Sequence, residues 1–203
     1  MGHQLECIVS TVPDSELRSD LKRMALSVAG LKAEASTVIS PTTLEQWDWS
    51  PDRNTWSMAL VLEHLNSVAR LGLPAIERGL AQLRSDGVQS DAPPRYSIGE
   101  RLYIRLLSPN PPFRVPVPPI FVPERRADPA VETGPEFLRG LERTERCIHS
   151  ANGLDLTRLK IPSPANSRLR LTVGAWLEGL VAHNEYHWMQ VRALRSHARF
   201  PRV

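Results

Sequence analysis

Apolar residues recur along this chain at spacings of three and four, and four segments carry the pattern of an amphipathic helix. The first covers about 14–38, where Leu17, Leu21, Met24, Val28, Leu31, Ala35 and Val38 form one stripe. Pro13, Asp14 and Glu16 suit its start, and Ser40-Pro41 stops it. The second covers about 56–83 on Leu60, Val61, Leu65, Val68, Leu71, Leu80 and Leu83. Asn54 or Thr55 is its expected cap, Pro74 a place for a kink, and Asp86-Gly87 its end. The third covers about 135–151, with Phe137, Leu138, Leu141 and Ile148 inward and Asn152-Gly153 closing it. The fourth covers about 173–196, capped by Thr172, with Trp176, Leu180, Val191 and Leu194 on its buried face.

Between the second and third segments, residues 91–135 hold eleven of the eighteen prolines. One short helix is expected there, at 97–107, anchored by Tyr103, Leu106 and Leu107. So long a connection exceeds what neighbouring helices need and can carry the chain back to the other end of a bundle. Strand-like residues, such as those at 168–171, stay within connections. The pattern predicts an all-α four-helix bundle whose second and third helices run roughly parallel.

Composition narrows the setting. A chain of 203 residues fits one domain, expected over 1–203 with its core at about 15–195. No stretch approaches the ~20 apolar residues of a bilayer span, so no membrane partner is expected. The N-terminus lacks a basic stretch followed by an apolar run, which points to the cytoplasm. Net charge is +3 with the basic residues scattered, so no nucleic-acid surface is evident. Arginine outnumbers lysine 22 to 3, read as the bias of a GC-rich genome. Cys7 and Cys147 lie far apart and are expected as unpaired thiols.

The candidate chemistry lies in the histidines. His183 and His187 are four apart on the fourth helix, so both rings leave one face a turn apart, on the side of Leu180 and Leu194. His64 stands among apolar residues of the second helix and is the candidate third nitrogen. Three unpaired imidazoles are costly to bury, whereas three imidazoles on a cation are not. The zincin arrangement is absent: Asn184 holds the place of its glutamate, and Glu185 is about 200° round the helix from His183 at ~100° per residue. His3, His149 and His197 are placed outside the site.

These residues resemble the DinB-like, or YfiT-like, superfamily of bacterial metal-binding four-helix bundles. Trp56-Ser57 leading to Leu62-Glu63-His64-Leu65 is similar to its W-S…HL second helix. Phe121-Val122-Pro123 resembles a recurrent F-x-P in the connection. Leu171-Thr172-Val173-Gly174 followed by His183 to Gln190 resembles its L-T-x-G…H-x3-H-x2-Q fourth helix. The resemblance covers roughly 15–195. It implies up-down-down-up topology, metal ligands at His64, His183 and His187, and a homodimer. Gln190, on the face of the two helix-four histidines, is expected to support a ligand or line the cavity.

Members of that superfamily differ in chemistry. The expectation is a metal-dependent enzyme acting on a small-molecule substrate. Three histidines leave an open coordination place, as catalytic zinc sites do. A thiol there would ionise and attack an electrophile. Hydrolysis would need a nearby base, and Glu63 is about 100° from His64 on its helix, so thiol transfer leads over a metal-dependent hydrolase. The arginine-rich composition leans toward mycothiol or glutathione over bacillithiol. The competing class is a non-catalytic binding or stress protein with a structural metal. Zinc or nickel leads among the metals, with iron, manganese and copper behind, since imidazole suits several of these.

Overall fold

The structure is a computed structural model that describes residues 14–113 and 115–202. His3, Cys7 and Pro13 lie outside them. The helices are α1 (Ser19–Ile39), α2 (Leu44–Asp48), α3 (Met58–Ser85), α4 (Ile98–Leu107), α5 (Thr133–Ser150) and α6 (Val173–Ser196). A two-stranded antiparallel hairpin, β1 (Lys160–Pro162) with β2 (Arg170–Thr172), pairs Ile161 with Leu171. The protein is an all-α bundle of four long helices, α1, α3, α5 and α6.

The expected apolar stripes are the ones that bury. Leu21, Met24, Val28, Leu31 and Ala35 of α1 meet Phe137, Leu141 and Ile148 of α5 and Leu177, Leu180, Val191 and Leu194 of α6 in one core. On α3 the stripe takes a different register around Pro74. Leu73, Ile76, Leu80 and Leu83 are buried, and Leu71 is 38 % exposed. Val38, Val68, Leu138 and Trp176 sit at the margin of the core rather than inside it. Trp176 is held there because Tyr103 of α4 packs on it, ring centroids 5.4 Å apart, while its Nε1 donates to the Ile161 carbonyl.

Helix boundaries follow their caps. The first segment starts later than periodicity predicts. Asp14–Glu16 form a 3-10 turn, and α1 begins only at Ser19. The cause is tertiary: the Arg18 N–H donates to Asn152 Oδ1 at 3.1 Å, and its guanidinium binds Asp20 and the carbonyls of Ser90 and Leu154. Helix α3 starts behind Ser57, not Asn54 or Thr55, because Ser57 Oγ accepts from Leu60 N. Asp86 ends it, with Gly87 at φ +65, a conformation that suits glycine. Thr172 caps α6 as expected, its hydroxyl accepting from Ala175 N. Helix α2 is an addition with its own capping box: Thr43 Oγ1 accepts from Gln46 N, and Gln46 Oε1 accepts from Thr43 N.

Helix directions can be read from side-chain pairs. Along α3 and α5 the contacts Asn66 with Thr133, Arg70 with Glu136, Glu77 with Arg143 and Arg84 with Ser150 advance together, so these helices run the same way. Arg23 with Glu178, Ser27 with Glu185 and Glu34 with Arg192 advance together along α1 and α6. Contacts between the two pairs run in opposition: Ile39 lies against Gly134 while Lys32 meets Glu145, and Val173 lies against Gly79 while His183 meets His64. Parallel α3 and α5 require the link between them to travel the length of the bundle. That link uses its length for α4, which packs on α6, and for a proline-rich strap containing a 3-10 turn at Pro119–Phe121. Among the described residues, no helix is long and apolar enough to cross a membrane.

Core burial sets the cost of truncation. Leu141→Ala, at a position 1 % exposed, should lower the unfolding free energy by about 2–5 kcal/mol. Ile98→Ala, at a position 78 % exposed, should stay within about 0.5 kcal/mol of the parent. Urea titrations followed by circular dichroism measure both. Equal losses in the two variants would contradict the placement of the core.

Candidate metal centre

Helices α3 and α6 run in opposition and cross where their apolar stripes carry histidine. His64 comes from the first turns of α3; His183 and His187 come from successive turns of α6. The three rings meet, with centroids 5.1 Å apart for His64 and His183, 4.7 Å for His64 and His187, and 4.5 Å for His183 and His187. Each offers one nitrogen within 4.8 Å of the other two. His64 and His187 are buried and His183 is partly exposed.

Each ring has two nitrogens, and their partners settle which one carries a proton. His64 Nδ1 is 2.7 Å from the Phe121 carbonyl oxygen. A carbonyl only accepts, so Nδ1 carries the hydrogen and Nε2 keeps a lone pair. His187 Nδ1 is 2.9 Å from Gln190 Oε1, and donation to that oxygen leaves its Nε2 lone pair free as well. His64 Nε2 faces His183 Nε2 at 3.0 Å, while His183 Nδ1 is buried without a partner.

All three rings are held neutral. Burial pushes His183 far below its usual range, and the neighbouring His187 and His64 add to the effect. Burial, aided by His64, pushes His187 down to about 3, although the bond to Gln190 opposes this. Burial also lowers His64, against the opposing bond to the Phe121 carbonyl. Neutral imidazoles are the form that binds cations. Nitrogens sharing a tetrahedral zinc at ~2.0–2.1 Å stand ~3.3 Å apart, so the 3.0 Å approach of His64 to His183 is within a few tenths of that spacing. The two committed tautomers and the facing of His64 Nε2 and His183 Nε2 fit a cation seated among the three rings.

The surroundings exclude other roles for nearby groups. Glu63, next to His64, is buried, with Oε1 accepting from Arg70 Nη2 at 2.5 Å and Arg126 Nη2 at 3.1 Å. Burial alone would raise its pKa; the two guanidinium groups outweigh that and hold it below the usual carboxylate range. Glu185 points to α1, where it accepts from Ser27. Cys147 lies in the core on α5, its thiol pushed up to about 12 by burial first and Glu77 second. His149 pairs with Asp14 at 3.4 Å, and His197 packs on Trp49 at 5.1 Å, so neither joins the cluster.

Two contributors were not assigned from the sequence. Trp56 forms a wall, its ring centroid 5.2 Å from His64 and stacked on His187 at 6.3 Å with 22° between planes. The Phe121 carbonyl fixes the His64 tautomer. Both belong to short sequence motifs noted above, W-S and F-x-P, but only the folded geometry shows what each touches.

A helical bundle that gathers three neutral imidazoles at one crossing defines a class of protein built around a potential metal centre. A family model of the DinB superfamily matches residues 31–191. The chain belongs to that superfamily. Comparisons with curated proteins and with solved structures found no match.

The depressed histidine pKa values carry a sign for stability. Below about 6.5 the unfolded chain protonates these rings and the folded metal-free chain does not, so acid favours unfolding. For His187 the window runs from about 6.5 down to about 3. In chelator-stripped protein, the unfolding free energy should fall between pH 7 and pH 5, and His187→Gln should reduce the fall. A variant with the parent's pH dependence would show that His187 is not held neutral.

Proposed function

We propose that the protein binds one divalent cation through the Nε2 atoms of His64, His183 and His187 and uses it to activate a low-molecular-weight thiol for transfer to an electrophile. The observation that carries the metal reading is the convergence of three neutral rings, two of them with Nδ1 already committed as a donor. Zinc or nickel is the favoured ion on a donor set of imidazoles alone. Gln190 orients the His187 ring through its Oε1. Partial exposure of His183 gives a small ligand a route to the cluster. Trp56 walls one side of the cluster.

A three-histidine cation with one place left for an exogenous ligand supplies Lewis acidity, which ionises a thiol near neutral pH. What favours thiol transfer over hydrolysis is the state of the nearby carboxylates. Hydrolysis draws on a general base within hydrogen-bond reach of the attacking water. Glu63 is committed to Arg70 and Arg126, and Glu185 to Ser27. A thiol needs no such base once its proton has been lost to solvent. The near-complete burial of His64 and His187, 3 % and 5 % exposed, favours a second reading, in which the metal only braces α3 against α6.

Ligand loss is the direct check. His183→Ala and His187→Ala should strongly reduce zinc or nickel content after exhaustive dialysis, whereas His149→Ala and His197→Ala should match the parent by elemental analysis. Equal loading in all four variants and the parent would refute the site. Incubation of the metal-loaded protein with glutathione or mycothiol and an alkylating electrophile, followed by thioether formation, separates the catalytic reading from the bracing one. Full metal content with no thioether for any thiol tried would favour the brace.

A further inference from the structure

Glu63 is 2 % exposed, charged, and outside the metal reading, and its partners come from three separate parts of the fold. Arg70 lies one turn-pair further along α3, Thr133 opens α5, with its hydroxyl 3.4 Å from Oε2, and Arg126 belongs to the strap. The adjacent residue, His64, grips the same strap at the Phe121 carbonyl. Arg125 adds a third hold through Asp48, the last residue of α2, with its Nε 2.7 Å from Oδ1. The strap is therefore pinned at both ends of 121–126, and one of its pins is a nitrogen of a candidate metal ligand.

Building on the three-histidine reading, we propose that strap docking and metal binding are one linked equilibrium, with Glu63, Arg126 and Asp48 as its positioning residues. The link is the tautomer of His64. A docked strap presents the Phe121 carbonyl, which stabilises hydrogen on Nδ1 and leaves Nε2 as a lone pair for a cation. Without a cation, the 3.0 Å approach of His64 Nε2 to His183 Nε2 needs a hydrogen on one of them. When His64 supplies it, its Nδ1 lone pair confronts the carbonyl lone pair, and the strap is repelled. Occupancy removes that state. An imidazole bound to a cation is also a stronger donor through its other nitrogen, so the strap bond gains. Linkage is reciprocal: whatever loosens the strap weakens metal binding by the factor by which metal tightens the strap.

The test uses the full-length protein and Zn2+, with affinity read by chelator competition and strap protection by amide hydrogen exchange of 117–126. Arg126→Ala removes the Glu63 hold, and Asp48→Ala removes the Arg125 hold without touching α3. Both side chains are more than a third exposed, so both variants should fold. Each should bind Zn2+ about 5-fold more weakly, the scale of one partly exposed ion pair. Arg143→Ala breaks a similar α3–α5 pair with Glu77 away from the strap and should bind as the parent does. In the parent, Zn2+ should slow exchange across 117–126. If the parent binds Zn2+ but both strap variants bind equally well and exchange is unchanged by Zn2+, the linkage is overturned and the site stands. If the parent does not bind Zn2+, the three-histidine reading falls, and the linkage with it.

Discussion

Convergence of three imidazoles at one helix crossing, two of them on buried residues, is the constraint around which the structure is arranged. A neutral imidazole has one donor and one acceptor nitrogen, and both need partners once water is excluded. His64 obtains one from the Phe121 carbonyl and His187 one from Gln190. His64 Nε2 faces His183 Nε2, and His183 Nδ1 is left without a partner. Such an arrangement requires α3 and α6 to cross at a fixed height, because a slip of one turn would part the rings. The fit of Gly79 against Val173 at the far end of the crossing sets that height: a Cβ on Gly79 would come within 2.7 Å of a Val173 methyl.

The direction of the helices then explains the use made of the long connection. Since α3 and α5 run the same way, the chain must return before α5 can begin. Helix α4 fills part of that path by packing Tyr103 against Gly179 and Trp176 of α6. Its first turn is tied to the start of α6 through Glu100, which accepts from Ser97 N and from Thr172 N at 2.9 Å. Burial alone would raise the Glu100 pKa; the donors from Thr172 and Ser97 outweigh it and bring it to about 2. The second part of the path, the strap, reaches back to the histidines. A strap whose prolines prevent a continuous α-helix, and whose single 3-10 turn ends at Phe121, thus supplies a free carbonyl, which a longer helix would have used internally.

Much of this was legible in the sequence because periodicity reports burial. The stripes of α1, α5 and α6 and the inward faces of His64, His183 and His187 all follow from spacings of three and four. Where the reading missed, the deciding contact was distant in sequence. Nothing near Arg18 signals that Asn152 will hold its backbone and delay α1. Helix α2 spans five residues, too short for a period to show, although Thr43 and Gln46 spelled out its capping box. Leu71 fits the stripe as well as Leu73 does, and only packing around Pro74 selects between them. The role of Phe121 was out of reach for a different reason: its contribution is a backbone oxygen, which its side chain does not advertise.

Membership of the DinB superfamily leaves the chemistry open, since one fold can carry several activities. What separates the alternatives lies in the carboxylates rather than the histidines. A cation held by three imidazoles could ionise a water or a thiol, and the cluster itself does not choose. A free glutamate beside it would tip the choice toward hydrolysis by taking the proton of an attacking water. Glu63 has the right position in sequence, one residue from His64, yet two arginines hold it ionised and turn it to the strap. Its lowered pKa makes it a poor proton acceptor. The same ion pairs that pin the strap therefore also commit the carboxylate adjacent to His64, so one feature both organises the His64 side of the centre and withholds Glu63 from use as a base.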